Sequence, residues 1–410
     1  MKNNTLFSGL RPEQELVLNS IRLDRTKNGR ICELLQNELN WPFVLQIAEY
    51  NRVLPLLYQS LKTVGQEHVP VEVMASMKQI YQANGRRTLR LALKLLHLQD
   101  LLNSQGIDCI PFKGPALAIQ AYGDLYMRYF TDLDILVHKR DIPRIYYLLA
   151  ESGYSPEIPV GIIGPKRLVR VNKDFHFTYQ EDFLELHGEV VEEASSHPID
   201  SEYFWHGRQS IQLLGREIPA LSPENNLLMV CMQATMDRWD QLKWIADLAY
   251  LCQASTNLDW LALLEQVERL GFHRILCLSL QLAEEPGGAA FPPEVRTRFL
   301  ADRSARWLAE QVRRRLAPDG ETNRIFGNTG FILRSRERPI HRLYYILNQA
   351  FIPKPVDWTS VPLPDALSPV YYLIRPIRLL IKFGWMFLIR PNRARNAQPD
   401  RKAAEAKVVG

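Results

Sequence analysis

The stretch that decides the fold is Asp132-Leu133-Asp134-Ile135-Leu136-Val137, in which two aspartates alternate with apolar residues. This period of two predicts a β-strand on which both carboxylates point to one face, about 7 Å apart along the backbone. Carboxylates that close repel each other, whereas magnesium prefers oxygen ligands and commonly bridges them to substrate phosphates. The stretch therefore predicts a magnesium site. The alternative is a pair of exposed strand residues, which an isolated Asp-x-Asp would favour.

A second alternating stretch, Leu184-Glu185-Leu186-His187-Gly188-Glu189-Val190, repeats this design with its polar side chains on one face. Glu185 would supply a third carboxylate, either to complete a two-metal cluster or to help deprotonate an acceptor hydroxyl. His187 could act as an acid, a base or a phosphate partner. A half-exposed strand with a polar outer face explains the segment equally well.

A third motif, Lys113-Gly114, lies between two predicted elements. The apolar run at 107–112 predicts a strand, and Pro115 marks the start of a helix that Gly123 ends. Backbone N–H groups at such a turn bind anions, and Lys113 would add a positive charge for phosphate. A Lys-Gly pair is weak evidence by itself, because a glycine at a turn needs no function.

Four further residues have structural interpretations beside functional ones. Arg128 precedes Asp132 by four residues and could contact phosphate or pair with the carboxylates. Trp244 and Asp247 stand one helical turn apart, which favours a buried tryptophan and a paired aspartate over a base-binding site. His176, as a lone histidine on a strand, is also interpreted as structural.

Helical segments on both sides of these motifs predict an α+β protein. Between them the expected order is strand, helix, strand, helix, strand, strand, with Asp141 capping the second helix and Gln180-Glu181-Asp182 joining the last two strands as a hairpin. The predicted units are a helical N-terminal unit, a mixed core, a helical C-terminal unit, a linker with an amphipathic helix, and a disordered basic tail, at 1–98, 99–215, 216–345, 346–389 and 390–410.

The composition is that of a soluble globular protein, since 46% of the 410 residues are hydrophobic and 23% are charged. A formal charge of +5 is modest for this length and predicts no specific nucleic-acid partner. Five scattered cysteines have no zinc-binding spacing, and the first residues have no secretory pattern. A cytoplasmic location is therefore expected.

Together, the segments Phe112-Lys113-Gly114, Arg128, 132–137 and 184–187 resemble an uncharacterised bacterial nucleotidyltransferase family of the DNA polymerase β-like superfamily. Members of that family carry LKG, R-x-x-(S/T)-D-(I/L)-D-(I/L)-L-V and (D/E)-L-H. The likeness also includes 52–58, 221–224 and 242–248, so that it covers residues 12–390 or so. This combination is more specific than any single motif.

The resemblance implies a polymerase β-like nucleotidyltransferase fold for the core. It implies three catalytic carboxylates that bind Mg²⁺ in a two-metal site, namely Asp132, Asp134 and Glu185. The residues expected to contact the nucleoside triphosphate are Lys113, Gly114, Arg128 and His187. Two departures stand out: Pro115 replaces the Gly or Ser that can touch the triphosphate, and Gln233 and Asp237 occupy positions where the family tends to have histidines.

The predicted reaction transfers a nucleoside monophosphate from a nucleoside triphosphate to an unknown acceptor and releases pyrophosphate. The acceptor is expected to be a sugar, a small molecule or a protein. A non-catalytic nucleotide-binding or regulatory protein on the same fold is the alternative, which the Lys113-Gly114-Pro115 turn leaves open.

The apolar segment 370–389 is interrupted by Arg375, Arg378 and Lys382 at helical spacing. This pattern predicts an amphipathic helix that contacts anionic lipid, peripherally at the inner membrane face, as in a membrane-surface factor of envelope polysaccharide biosynthesis. The alternative is a helix packed against its own protein, with the arginines at the rim.

Overall fold

The computed structural model describes residues 9–24, 26–157, 174–188, 201–316, 328–353, 357, 360–361, 363 and 365–389. Contacts between Cα atoms divide the chain into two compact units, Met1–Tyr345 and Ile346–Gly410. The predicted tail at 390–410 and the predicted site-face residue Glu189 lie outside the described residues. The boundaries of the five predicted units stay predictions.

The first unit begins with five helices: α1 (Pro12–Ile21), α2 (Thr26–Leu34), α3 (Trp41–Tyr50), α4 (Leu54–Val64) and α5 (Val71–Ser104). Their apolar stripes form a common core that includes Leu16, Leu57 and Leu61, each 0% exposed. Proline occupies the first or second position of α1, α3 and α4, where no intrahelical N–H bond is lost. Asn40 caps α3 by accepting a 3.1 Å hydrogen bond from the Phe43 amide.

A mixed sheet of five strands follows: β1 (Cys109–Pro111), β2 (Asp132–Val137), β3 (Ser155–Pro156), β4 (Asp174–Tyr179) and β5 (Asp182–His187), in the order β1-β2-β5-β4-β3. Only β2 and β5 pair in parallel among these described strands. The mixed sheet between helical segments confirms the predicted α+β class. The strand β3, which the sequence did not predict, adds an edge next to β4.

Two local expectations need correction. Asp182 pairs with Tyr179 and belongs to β5, so the hairpin turn contains only Gln180 and Glu181. Asp141 stands at the N-cap of α7 (Ile142–Glu151), but its side chain accepts no capping hydrogen bond. The reason is that a 3-10 turn at Lys139–Asp141 runs directly into the helix and leaves Asp141 in a helical conformation.

Helix α6 (Gly114–Tyr122) connects β1 with β2 and ends at Gly123, which adopts a left-handed φ of 68° as expected. The remainder of the first unit comprises α8 (Ser201–Trp205), a β6–β7 hairpin (Gln209–Leu213, Arg216–Ala220), α9 (Pro223–Met236), α10 (Leu242–Ala254), α11 (Trp260–Leu270), α12 (His273–Glu284), α13 (Pro293–Ala301), α14 (Arg303–Leu316) and α15 (Asn328–Ser335). Because α10 packs against α6, this helical region lies against the sheet domain.

Helix α16 (Pro339–Phe351) crosses the boundary between the two units, and α17 (Tyr371–Ile389) belongs to the second. In the second unit Asp357 is 0% exposed and binds two arginines, Arg375 at 3.0 Å and Arg378 at 2.6 Å. The exposed side chains of α17 include Leu373, Ile377, Leu380 and Ile381. Among the described helices, none is long and apolar enough to cross a membrane.

Candidate active site

The site is a polar face that β2, β5 and β4 build together. Parallel pairing sets Asp134 directly opposite Glu185, and antiparallel pairing sets His187 opposite Asp174. Because side chains alternate along a strand, Asp132 and Asp134 on β2 share this face with Glu185 and His187 on β5. The structure thus brings together the four strand residues that the sequence predicted for the site.

Asp134 is the buried centre of this face, with 3% of its surface exposed. Its Oδ1 accepts hydrogen bonds from Lys113 Nζ at 2.7 Å and from His187 Nε2 at 3.1 Å. Burial by itself would raise the pKa of Asp134, but the charges and hydrogen bonds of Lys113 and His187 outweigh it and lower that pKa. Asp134 is therefore a carboxylate anchored by two cations.

His187 is held from both sides. Its Nδ1 lies 2.8 Å from Asp174 Oδ1, and its Nε2 lies 3.1 Å from Asp134 Oδ1 and 3.4 Å from Glu185 Oε2. Burial opposes the charged form, yet these carboxylates raise the pKa of His187 well above its ordinary value. The ring is then protonated at neutral pH and donates through both nitrogens. These contacts favour the charged form of the ring.

Asp174 is a site residue that the sequence analysis did not select. It orients His187 and lies at the start of β4, and the same imidazolium lowers its pKa against the opposing effect of burial. A signal existed, because Asp174 stands two residues before His176 and so shares its face of an alternating strand. What the sequence could not show was that this face adjoins His187 on the next strand.

Asp132 differs from Asp134 because no cation among the described residues contacts it. Burial and then the negative charges of Asp134 and Glu185 raise the pKa of Asp132, and the more distant positive charges of Lys113 and Arg128 only partly compensate. This end of the face carries more negative charge than its surroundings neutralise. A divalent cation would remove that imbalance.

The donor set fits magnesium. Ligand atoms of Asp134, Glu185 and His187 lie within 4.8 Å of one another, whereas Asp132 is not part of this tight group. Magnesium prefers oxygen ligands, so the oxygens of the three carboxylates on the face are the suitable ligands. The predicted metal ligands Asp132, Asp134 and Glu185 stay a prediction, and His187 lies in hydrogen-bond contact with Asp134.

An open cavity of about 400 Å³ lies beside this face. Asp132, Glu185 and Leu184 line it on one side, and residues of β3 and β4 line the other. His176 also lines it and pairs with Glu157 at 3.1 Å, with 49% of its side chain exposed. A substrate in this cavity would reach Asp132 and Glu185 directly.

Arg128 binds Asp247 rather than the carboxylates of the site face. It is 6% exposed and binds Asp247 through two nitrogens, with Nε at 3.0 Å from Oδ1 and a terminal nitrogen at 3.0 Å from Oδ2. Tyr122 donates a 2.8 Å hydrogen bond to the same carboxylate. The pair joins the segment before β2 to α10, where Trp244 is 4% exposed. Asp247 is thus a buried, paired aspartate and Trp244 a buried tryptophan, as the sequence indicated.

The profile of a family described as uncharacterised nucleotidyltransferase matches residues 37–288, more than half of the chain. The chain belongs to this nucleotidyltransferase family. A search of curated proteins gives no match. A structural match is the crystal structure of an antigenic nucleotidyltransferase-like protein from Paracoccidioides brasiliensis, with 16% identity and a TM-score of 0.30, covering 47% of this chain and 93% of that chain. The family match confirms the resemblance predicted from the motifs.

In this nucleotidyltransferase family member, the Lys113-Gly114 turn needs its glycine for two reasons. Gly114 has a left-handed φ of 47°, which side chains rarely adopt, and a Cβ there would lie 3.2 Å from the carbonyl oxygen of Asp132. The close approach holds the start of α6 against β2. Lys113 turns its ammonium group to Asp134, so the turn supports a carboxylate of the site.

We expect Gly114→Ala to lower the free energy of unfolding by more than Gly123→Ala does. Both glycines have a positive φ, which costs a non-glycine residue about 1–2 kcal/mol. A Cβ at Gly123 meets nothing within 4 Å, whereas at Gly114 it presses on the Asp132 backbone. Urea denaturation of the two variants measures the difference, and equal losses would show that the contact with Asp132 is not tight.

Proposed function

We propose that this chain is a magnesium-dependent nucleotidyltransferase that transfers a nucleoside monophosphate from a nucleoside triphosphate to an acceptor hydroxyl. The observation that carries the proposal is the parallel pairing of β2 with β5, which sets Asp134 beside Glu185 while Asp132 shares their face. Three clustered carboxylates, of which Asp132 and Glu185 line an open cavity, suit divalent cations that bridge phosphate oxygens. Family membership supports the class of reaction.

Each residue of the face has a distinct role in this reaction. Asp132, Asp134 and Glu185 would hold magnesium, which when bound neutralises phosphate charge and makes the α-phosphorus more electrophilic. Glu185 lines the cavity and is 30% exposed, so it is placed to take the proton of an acceptor hydroxyl. The hydroxyl oxygen bonds to the α-phosphorus, the bond to the bridging oxygen breaks, and pyrophosphate leaves. His187 and Lys113 keep Asp134 in position.

The test uses each of the four nucleoside triphosphates, labelled at either the α- or the γ-phosphate, with magnesium and a cell extract. We expect the α-label to appear in an acceptor and the γ-label to appear in pyrophosphate. Transfer of the γ-label to an acceptor would indicate a phosphoryl transferase instead. Saturable triphosphate binding without transfer of either label would indicate the non-catalytic nucleotide-binding protein.

We place this reaction in the cytoplasm, where nucleoside triphosphates are available. All five cysteines are free, and four of them are buried. Free thiols are typical of proteins in a reducing compartment. The acceptor, whether sugar, small molecule or protein, is to be identified from the labelled product of the labelling experiment.

A second proposal concerns α17, whose exposed apolar stripe favours contact with a membrane surface. Leu373, Ile377, Leu380 and Ile381 follow helical spacing and are 65%, 57%, 73% and 65% exposed. The arginines expected to attract anionic lipid are instead bound to Asp357. Contact would therefore depend on the apolar stripe more than on these two charges.

For this helix we expect Leu373→Gln with Ile377→Gln and Leu380→Gln to reduce binding to vesicles containing anionic lipid at least tenfold. The reason is the loss of buried apolar surface, which contributes about 25 cal/mol per Å². Vesicle co-sedimentation measures the effect, and Arg378→Gln serves as the matched control on the same helix. Undiminished binding of the triple variant, or no binding by the wild type, would exclude a membrane role for this stripe.

A further inference from the structure

Two segments that the sequence singled out but the carboxylate face does not use meet elsewhere in the first unit. Gln241 donates a 2.9 Å hydrogen bond to the Tyr50 carbonyl, and the Leu242 amide donates a 3.0 Å bond to the Asn51 side chain. The Lys243 amide donates a 3.2 Å bond to the Asn51 carbonyl. These bonds hold the turn after α3 at the start of α10. They place the next residue of that turn, Arg52, close to Lys243.

Arg52 itself adopts a left-handed φ of 57°. A non-glycine residue in this region costs free energy and persists where the surrounding structure enforces it. Its guanidinium carbon lies 5.5 Å from the centre of the Tyr129 ring. The turn therefore directs a cation towards Tyr129, which stands three residues before Asp132 in the chain.

Helix α5 supplies a second guanidinium to the same ring. Asn84 donates hydrogen bonds to the carbonyls of Tyr126 and Arg128 at 3.1 and 3.2 Å, and Arg87 donates a 2.7 Å bond to the Asn84 side chain. The Arg87 guanidinium carbon lies 4.2 Å from the Tyr129 ring centre. Its Nε is buried without a hydrogen-bond partner among the described residues. A buried donor of this kind calls for an acceptor.

Among the described residues, Arg52, Arg87 and Lys243 have no carboxylate partner. Within the part of the chain that the structure describes, neither Arg52 nor Lys243 forms an ion pair, and the half-buried Lys243 ammonium lies 4.3 Å from the Trp244 ring centre. Burial and then the charges of Arg128 and Arg52 lower the pKa of Lys243 to about 8, against weaker opposing effects of Asp247 and Asp237. The protein thus holds positive charges together at a cost that a bound anion would offset.

The phosphate-binding groups predicted from sequence are meanwhile engaged elsewhere. The Lys113 ammonium is bound to Asp134, the Arg128 guanidinium is bound to Asp247, and Pro115 has no N–H to offer. The ring that Arg52 and Arg87 contact belongs to Tyr129, which directly follows Arg128 and stands three residues before Asp132. The cations around Tyr129 therefore lie beside the segment that leads into β2.

We propose that Arg52, Arg87 and Lys243 form an anion site, here called the cation cluster, that binds a phosphate group of a substrate of the proposed transfer reaction. This inference rests on the proposed function for the identity of the ligand. The shared chemistry is a phosphate group that accepts hydrogen bonds from guanidinium and ammonium donors. The source is either the polyphosphate chain of the donor or a phosphate on the acceptor.

The first measurement is calorimetric binding of inorganic tripolyphosphate, which requires no turnover and so separates this inference from the transfer reaction. We expect Arg52→Gln, Arg87→Gln and Lys243→Gln each to weaken binding about tenfold or more, because each removes a charged hydrogen-bond donor. Arg86→Gln is the matched control, since Arg86 is an exposed neighbour on α5. The unfolding free energy of Lys243→Gln should equal or exceed that of the wild type. This measurement would show that the variant folds.

The second measurement distinguishes the sources of phosphate. Loss of affinity for a non-hydrolysable nucleoside triphosphate in the same three variants assigns the cluster to the donor. Unchanged affinity for that analogue with loss of binding to glucose 1-phosphate, used as a model acceptor, assigns it to the acceptor. If the wild type does not bind tripolyphosphate, or if the three variants bind it as tightly as the wild type, the cluster is not an anion site.

Discussion

Replacing Asp132 and Asp134 separately by asparagine is expected to abolish nucleotide transfer in both variants but to change stability in opposite directions. Each substitution removes a charge from the proposed magnesium site with little change in volume, and we expect transfer to fall by at least about two orders of magnitude. The difference in stability follows from their surroundings. Asp134 is bound to Lys113 and His187, whereas Asp132 faces other carboxylates.

For Asp134→Asn the free energy of unfolding should fall, by about 3 kcal/mol at neutral pH, because two buried cations lose their shared partner. The folded state lowers the pKa of Asp134, so its stabilising effect is present above the ordinary aspartate pKa and is lost as the pH falls. The gap between wild type and variant should therefore narrow on acidification.

For Asp132→Asn the free energy of unfolding should stay equal or rise by about 1 kcal/mol at neutral pH, since a repelled charge disappears. The folded state raises the pKa of Asp132, so the wild-type residue becomes protonated on mild acidification and the advantage of the variant fades. Magnesium with a triphosphate should raise the melting temperature of the wild type and much less that of either variant. Glu185→Gln should likewise reduce the rise in melting temperature that magnesium with a triphosphate produces.

The control for both variants is Asp182→Asn on the same strand as Glu185. Asp182 binds Arg90 and Lys94 at 2.7 and 2.6 Å, and strand alternation directs it away from the site face. Its loss should lower stability without lowering transfer. If the Asp132 and Asp134 variants keep wild-type labelling and ligand-dependent stabilisation, these carboxylates are only the outer face of a strand.

The strands of the site could be predicted from sequence because alternation is a local signal. The bounds of β2 agree with the predicted stretch 132–137, and the shared face of Asp132 and Asp134 follows from the same period. The pairing of β2 with β5 depends on contacts fifty residues apart in the chain, which no local pattern specifies. Only the resemblance to a known family implied that Glu185 joins Asp132 and Asp134 in one site.

The partners of Lys113 and Arg128 could not be predicted from the local sequence. Lys113 was expected to bind phosphate, and the structure places its ammonium on Asp134 because the left-handed Gly114 turn brings α6 against β2. Arg128 was expected at phosphate or at the site carboxylates, yet its partner Asp247 lies 119 positions along the chain. Charged residues pair with groups that the fold brings close, so their spacing in the sequence does not identify their partners.

The Arg128 contact gives the last prediction, which separates a structural role from nucleotide binding. With side chains 6% and 1% exposed, Arg128 and Asp247 form a buried pair, and Asp247→Asn or Arg128→Met should lower the free energy of unfolding by about 3–5 kcal/mol. Each change leaves the opposite charge buried without its partner. Measured by chemical denaturation, losses below about 1 kcal/mol would show that solvent reaches the pair.

Removing the whole network tests the role of Arg128 in function. The combination Arg128→Met, Asp247→Leu and Tyr122→Phe leaves no buried charge or hydroxyl unpaired, and such apolar replacements are often neutral or stabilising. We expect this triple variant to recover most of the stability lost by Arg128→Met alone. If it also recovers transfer and triphosphate affinity, Arg128 positions α10 against α6 and does not bind nucleotide. If stability returns while triphosphate affinity remains reduced tenfold or more, Arg128 contacts the nucleotide as the sequence predicted. In the nucleotide-bound protein, Arg128 must then bind phosphate in place of Asp247.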